Sequence, residues 1–118
     1  MSYKDVAEVA VRAHLTPDAR NRILEVGGAQ DLSPLEVVRI FEEVSGAPFE
    51  RQFVPEEALL AQLDHASDPL SETFVKLQLE YVHGCPMNTS ETLRLMPMEL
   101  TSVAQYAAAV CGQKAVSV

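Results

Sequence analysis

The stretch EVGGAQDLSPLEVV, Glu25 to Val38, joins an apolar run to a helix-like pattern through Gly27 and Gly28. A glycine turn between strand and helix is where a nucleotide-binding protein holds phosphate, because bare backbone must approach the pyrophosphate and the helix must pack tightly on the strand. That chemistry asks for G-x-G-x-x-G, whereas here the two glycines are adjacent and Ala29, Gln30, Asp31, Leu32 and Ser33 follow without a third. Asp31 would add a negative charge beside any phosphate, and no G-K-[ST] occurs anywhere. The pair therefore reads as a turn needing positive φ ahead of a capped helix. His83 and Cys85, in VHGCP, are two candidate metal ligands, but a zinc site usually takes four and no matching pair lies nearby; His14 and His65 are isolated. As a nucleophile pair, Cys85 and His83 stand across a glycine stop with no third group to orient them. The carboxylates Glu42/Glu43 and Glu56/Glu57 are neighbours on helical patterns, so they diverge and serve as solvated surface. No residue is assigned to catalysis, to a cofactor or to a metal.

The elements that position these residues are marked by regular punctuation. Asp5 in capping position with Glu8 three residues on predicts a helix to Leu15, with Val6, Val9, Ala10 and Ala13 on one side. NRILEV, followed by two glycines, predicts a short buried strand over Arg22 to Val26. Ser33 as N-cap, Pro34 at the first helical position, Glu36 completing a capping box and Leu32 stapling onto Val37 predict a helix to Gly46. PFERQFV alternates in the manner of a second strand, Phe49 to Val54. Strand, helix and strand in so short a span suggest a βαβ unit with two parallel strands. PEEALLAQL predicts a further helix, and so does DPLSETFVKLQLEYVHG, with Asp68 as cap, Pro69 at the first position and Gly84 as stop. A last helix, Ser102 to Val110, carries Gln105 in the capping-box position and closes at Gly112. The expected fold is α+β and helix-rich: one βαβ unit with two short parallel strands plus four or five helices.

At 118 residues, 47% hydrophobic and 22% charged, the chain can bury one core, so a single domain over residues 1–112 is expected, with a frayed tail at 113–118. A net charge of −8 argues against nucleic acid or an anionic membrane as partner, since both need a positive surface. MSYKDVAEVAVRAHL mixes charges among its apolar residues and so lacks the apolar segment of a signal peptide or membrane span. A cytoplasmic protein is expected, and Cys85 and Cys111 then read as free thiols.

The helix from Pro69 is the most informative for binding. Leu70, Phe74, Leu77 and Tyr81 form one apolar stripe and Val75, Leu79 and Val82 a second, both of which want burial, while Glu72, Lys76, Glu80 and His83 hold the wet arc. Gln78 lies between the stripes. A buried glutamine needs partners, so Gln78 bonds a neighbouring backbone, borders an interface, or points into a polar spot of a pocket.

KDVAEVAVRAHL, RNRILEVGGAQDLSPLEVVRIFEEVSG, FERQFVPEEAL and LTSVAQYAAAV together resemble the C-terminal portion of NmrA-like proteins, of the atypical short-chain dehydrogenase/reductase superfamily. The likeness covers nearly the whole chain and rests on diffuse capping and packing patterns. It implies an NAD(P)-binding Rossmann domain ahead of this region, yet Met1 stands just before YKDVAEVA. The Tyr-x-x-x-Lys pair of catalytic members is also missing, since Tyr3, Tyr81 and Tyr106 are followed four residues on by Ala7, Cys85 and Val110. The resemblance thus implies a substrate-side lobe detached from its cofactor lobe. Because the family's substrate pocket lies between its lobes, it also implies a pocket edged by Phe74, Gln78 and Tyr81.

Two functions follow as expectations. One is a non-catalytic module that binds a small apolar ligand or a partner protein, with no cofactor of its own. The other is a component of an NAD(P)-dependent oxidoreductase whose cofactor domain comes from another chain. Apolar surface that faces a Rossmann lobe in relatives must be covered, so a homodimer is expected. Its contact would use Val6, Val9, Ala10 and Ala13 with either the strand from Arg22 or the helix from Leu70.

Overall fold

A computed structural model describes residues 1–114, with side chains through Gly112. It contains two compact units: residues 1–47 together with the chain from Pro86 onward, and Pro48–Cys85.

In the first unit α1 spans Tyr3–Leu15 and begins a turn earlier than the sequence pattern suggests. Ser2 is its cap, accepting from the Asp5 N–H at 3.1 Å. Asp5 is free of capping duty because its carboxylate serves a distant partner, Thr101. Val9 of α1, Ala19 of the 3-10 turn Pro17–Ala19 and Met96 form the buried nucleus, against which Ala13, Leu24 and Val26 pack. Here α2, Pro34–Ser45, carries the capping box of Ser33 and Glu36 in full and ends on Gly46 at φ 69°, a left-handed conformation that glycine adopts without a Cβ clash. It packs on the last helix, with the Phe41 and Tyr106 rings edge to face at 6.4 Å.

In the second unit α3, Glu56–Asp64, packs against α4, Pro69–His83, with Leu59 and Val75 buried. Asp68 caps α4 by accepting from the Leu70 and Ser71 N–H groups, and Gly84 ends it at φ 76°. A short helix absent from the sequence reading, α5 at Thr89–Leu95, returns the chain to the first unit. The last helix, α6, spans Val103–Lys114 and has the expected Ser102/Gln105 pair at its start. It runs through Gly112 rather than closing there, and the expectation of a frayed 113–118 otherwise lies outside the described residues.

The expected βαβ unit is not formed: among the described residues there is no strand. Leu24 and Val26 pack on the core while Ile23 stands 96% exposed, so the segment is not the buried strand expected, and backbone groups at its end bond side chains instead of a neighbouring strand. Thr92 Oγ1 donates to the Glu25 carbonyl at 2.7 Å, and the Gly27 N–H donates to Thr89 Oγ1 at 2.7 Å. Phe49 to Val54 falls in the other unit and also has no strand beside it. A strand exists only by pairing, and alternation in one chain segment does not supply the pair.

Gly27 corrects a second expectation. Positive φ among the glycines is confined to Gly46 and Gly84, so the turn at Gly27 and Gly28 does not require it. Space is the reason at Gly27: a Cβ there would stand 3.0 Å from Thr89 Oγ1 and 3.1 Å from Met87 Cβ.

Candidate functional site

Helix α4 presents the most extensive apolar surface of the second unit. Its inner side is set by Val75, buried, and Leu79, half-buried. The other stripe is out in solvent: Leu70 is 65% exposed, Phe74 56%, Leu77 51% and Tyr81 69%. Of the two stripes that the sequence pattern would bury, the packing of α3 on α4 covers only one, and even there Val82 stays exposed.

The predicted pocket residues Phe74, Gln78 and Tyr81 are thus brought together, one and two turns apart on a single exposed helix face. Gln78 is exposed too, so it makes no demand for buried partners. The face is held rigidly at both ends. At the start, Asp68 accepts from two backbone N–H groups and from Ser71 Oγ, and these bonds hold its carboxyl below the ordinary aspartate range, the Ser71 hydroxyl contributing most. At the other end, His83 Nε2 and Glu56 Oε1 meet at 2.9 Å and tie the last turn of α4 to the first turn of α3. Glu72 and Lys76 pair one turn apart on the wet side.

The first unit holds a half-open groove of about 320 Å³ where the N-termini of α1 and α6 meet, lined by Tyr3, Thr101, Ser102, Val103 and Tyr106 among others. The Ser2, Thr101 and Ser102 groups along it are engaged in bonds of the fold. Asp5, 3% exposed, accepts from the Thr101 N–H and from Thr101 Oγ1, both at 2.9 Å. Burial by itself would raise the Asp5 pKa, but the bonds from Thr101 and Ser2 outweigh it and the carboxyl sits below its ordinary value. Ser2 and Ser102 cap their own helices. None of Phe74, Gln78 or Tyr81 lines this groove. Sequence reasoning assigned Asp5 to capping and missed its bond to Thr101, ninety-six residues away, which no local pattern announces.

Chemically reactive groups do not converge. Among the described residues there is no group of three His, Cys, Asp or Glu side chains placed to hold a metal. Cys85 and Cys111 are both free thiols. Among the described residues no helix is long and apolar enough to cross a membrane. The arrangement offers an apolar contact face with a carboxamide at its edge.

No protein-family model matches the chain, and no solved structure does. Among curated proteins, the chain is 37% identical over 81 residues to an isoflavone reductase homolog from Zea mays. The likeness is to a reductase-related protein and accords with the NmrA-like resemblance. The matched stretch is 68% of this chain but 26% of that protein, so the chain spans about a quarter of the length of the curated relative it matches.

Proposed function

We propose that this chain is a binding module derived from the substrate-side portion of an NmrA-like protein, and that the outer face of α4 is its contact surface. The supporting observation is the exposed stripe of Leu70, Phe74, Leu77 and Tyr81 on a helix that is capped, tied and backed by α3. A rigid apolar face of this extent suits a small apolar ligand or a partner protein, with Gln78 positioned to donate or accept one directional hydrogen bond. The module works without catalysis and in the cytoplasm, a setting in keeping with its two free thiols.

A second reading is favoured by the partial coverage of the maize relative, three quarters of whose length lies outside the match. On that reading the chain is a component of an NAD(P)-dependent oxidoreductase and takes its cofactor domain from another polypeptide. Sedimentation of the chain mixed with a separately expressed Rossmann domain of an NmrA-like protein, with and without NADPH, separates the two. The binding-module reading predicts that the chain sediments apart from that domain in both cases, and co-sedimentation tightened by NADPH would contradict it.

A further inference from the structure

The outer stripe of α4 is a narrow seam. Leu70, Phe74, Leu77 and Tyr81 recur at intervals of four, three and four over less than two heptads, apart from the Val75 and Leu79 side that α3 covers. We infer that this seam pairs with the same seam of a second copy of the chain, antiparallel about a twofold axis, an inference that rests on the proposed role of this face in binding.

Three observations support this pairing. The first is the complementarity of the flanks. With the axis passing between Phe74 and Leu77, Leu70 meets Tyr81 of the second copy and Phe74 meets its Leu77. The residues beside the seam then fall opposite one another as Ser71 with Gln78 and Thr73 with Glu80, polar against polar and with no like charges opposed. The second is the field along the helix. Antiparallel α4 helices oppose their dipoles, setting the first turn of one, with Asp68 and Glu72, against the last turn of the other, which carries Glu80 as well as the His83 that Glu56 holds. A parallel pairing would set the two acidic ends side by side.

The third observation is area. At the exposures found, the four seam residues present roughly 500 Å² per copy, so the pair would bury at most about 1,000 Å² through them. That places the contact at the lower edge of specific interfaces, in the range of reversible association. The α1 contact expected from the sequence is not available as drawn, because Val9 and Ala13 are turned into the first unit's own core; the apolar residues α1 leaves exposed are Tyr3, Val6, Val11 and Leu15. A chain carrying −8 also repels its copy, so added salt screens that repulsion and tightens the dimer.

Sedimentation equilibrium over a wide concentration range tests the pairing. The native chain is expected to pass from monomer to dimer in the micromolar range, more tightly at higher ionic strength. Leu77→Glu, at a position half in solvent, is expected to weaken the dimer roughly tenfold or more. Ser71→Glu with Gln78→Lys places opposite charges across the antiparallel seam without changing the net charge and should tighten it several-fold, whereas Ser71→Glu with Gln78→Glu opposes like charges and should loosen it. A native chain that stays monomeric throughout, a dimer indifferent to Leu77→Glu, or charge variants with the opposite order overturns the inference. Titration with Nile red, a neutral apolar probe, separates this failure from failure of the underlying reading. A monomer whose probe binding is lost in Leu77→Glu keeps the face as a binding surface for something other than a second copy; a monomer that does not bind the probe there removes both.

Discussion

Each of the two units is held together internally by its own means. In the first, hydrogen bonds reach across the chain: Asp5 to Thr101, Glu25 to Asn88 and Thr92, Gly27 to Thr89, Arg12 to the Pro97 carbonyl. Each ties the segment before α3 to the segment after α4. In the second unit the bonds are those of a helical hairpin, with Asp68 capping α4, Glu72 beside Lys76, and His83 against Glu56. Its interior is correspondingly small, with one buried apolar residue on each helix, Leu59 and Val75. The difference teaches where stability and recognition are kept. The first unit spends its polar groups on itself, and the second leaves a large apolar stripe without a partner among the described residues.

The most severe way to break this contrast is Asp5→Ala, which removes the buried acceptor and strands the Thr101 N–H and hydroxyl. Urea unfolding is expected to show a loss of about 3 kcal/mol, as for buried hydrogen bonds to a charged group. Its pH signature follows from sign. The folded Asp5 pKa lies below the ordinary 3.8, so the carboxylate's contribution is fully present above that value and is lost as pH falls through the lower folded value. Asp5→Asn is therefore expected to flatten the acid limb of a stability-against-pH curve below about pH 4 while leaving stability near neutrality less affected than Asp5→Ala does.

Gly27→Ala comes next. The added methyl would press on Thr89 Oγ1 and Met87, and part of the strain is offset by lower freedom in the unfolded chain, so a net loss of about 1 kcal/mol is expected by the same unfolding measurement. Stabilisation of the variant would mean that Thr89 and Met87 yield easily, and that the bond of α5 to the Gly27 turn is a loose one.

The smallest effect is expected in the second unit. His83→Gln removes an exposed contact with Glu56 and should shift stability by no more than about 0.5 kcal/mol. A much larger loss would show that the hairpin depends on its end tie as the first unit depends on Asp5, and the contrast between the units would fall.

The sequence was most readable where a few adjacent residues decide the outcome. Ser33, Pro34 and Glu36 mark the start of α2, and Asp68, Pro69 and Gly84 bound α4, because caps and stops are local chemistry. Arg22 to Val26 was legible only in part: Leu24 and Val26 pack on the core, but Ile23 is 96% exposed and no strand lies alongside, since apolar and β-branched residues report neither which of them is covered nor whether the segment is paired. Helix α5 escaped notice because it is only seven residues long and Asn88 gives it no side-chain cap bond. Its Thr89 and Thr92 are nonetheless what occupy the backbone at Gly27 and Glu25. For the candidate site, the composition of the α4 stripe was evident from its spacing, whereas its exposure was not: periodicity reports that a face is apolar, and only packing reports what covers it.

The central claim is that the outer face of α4 recognises apolar surface and does not serve to hold the fold. Nile red titrated against the native chain and against Leu77→Glu, both dilute enough to be monomeric and each first shown to melt at the same temperature, tests it most directly. The account predicts saturable binding by the native chain and binding roughly tenfold weaker in the variant. Equal binding by the two would contradict it.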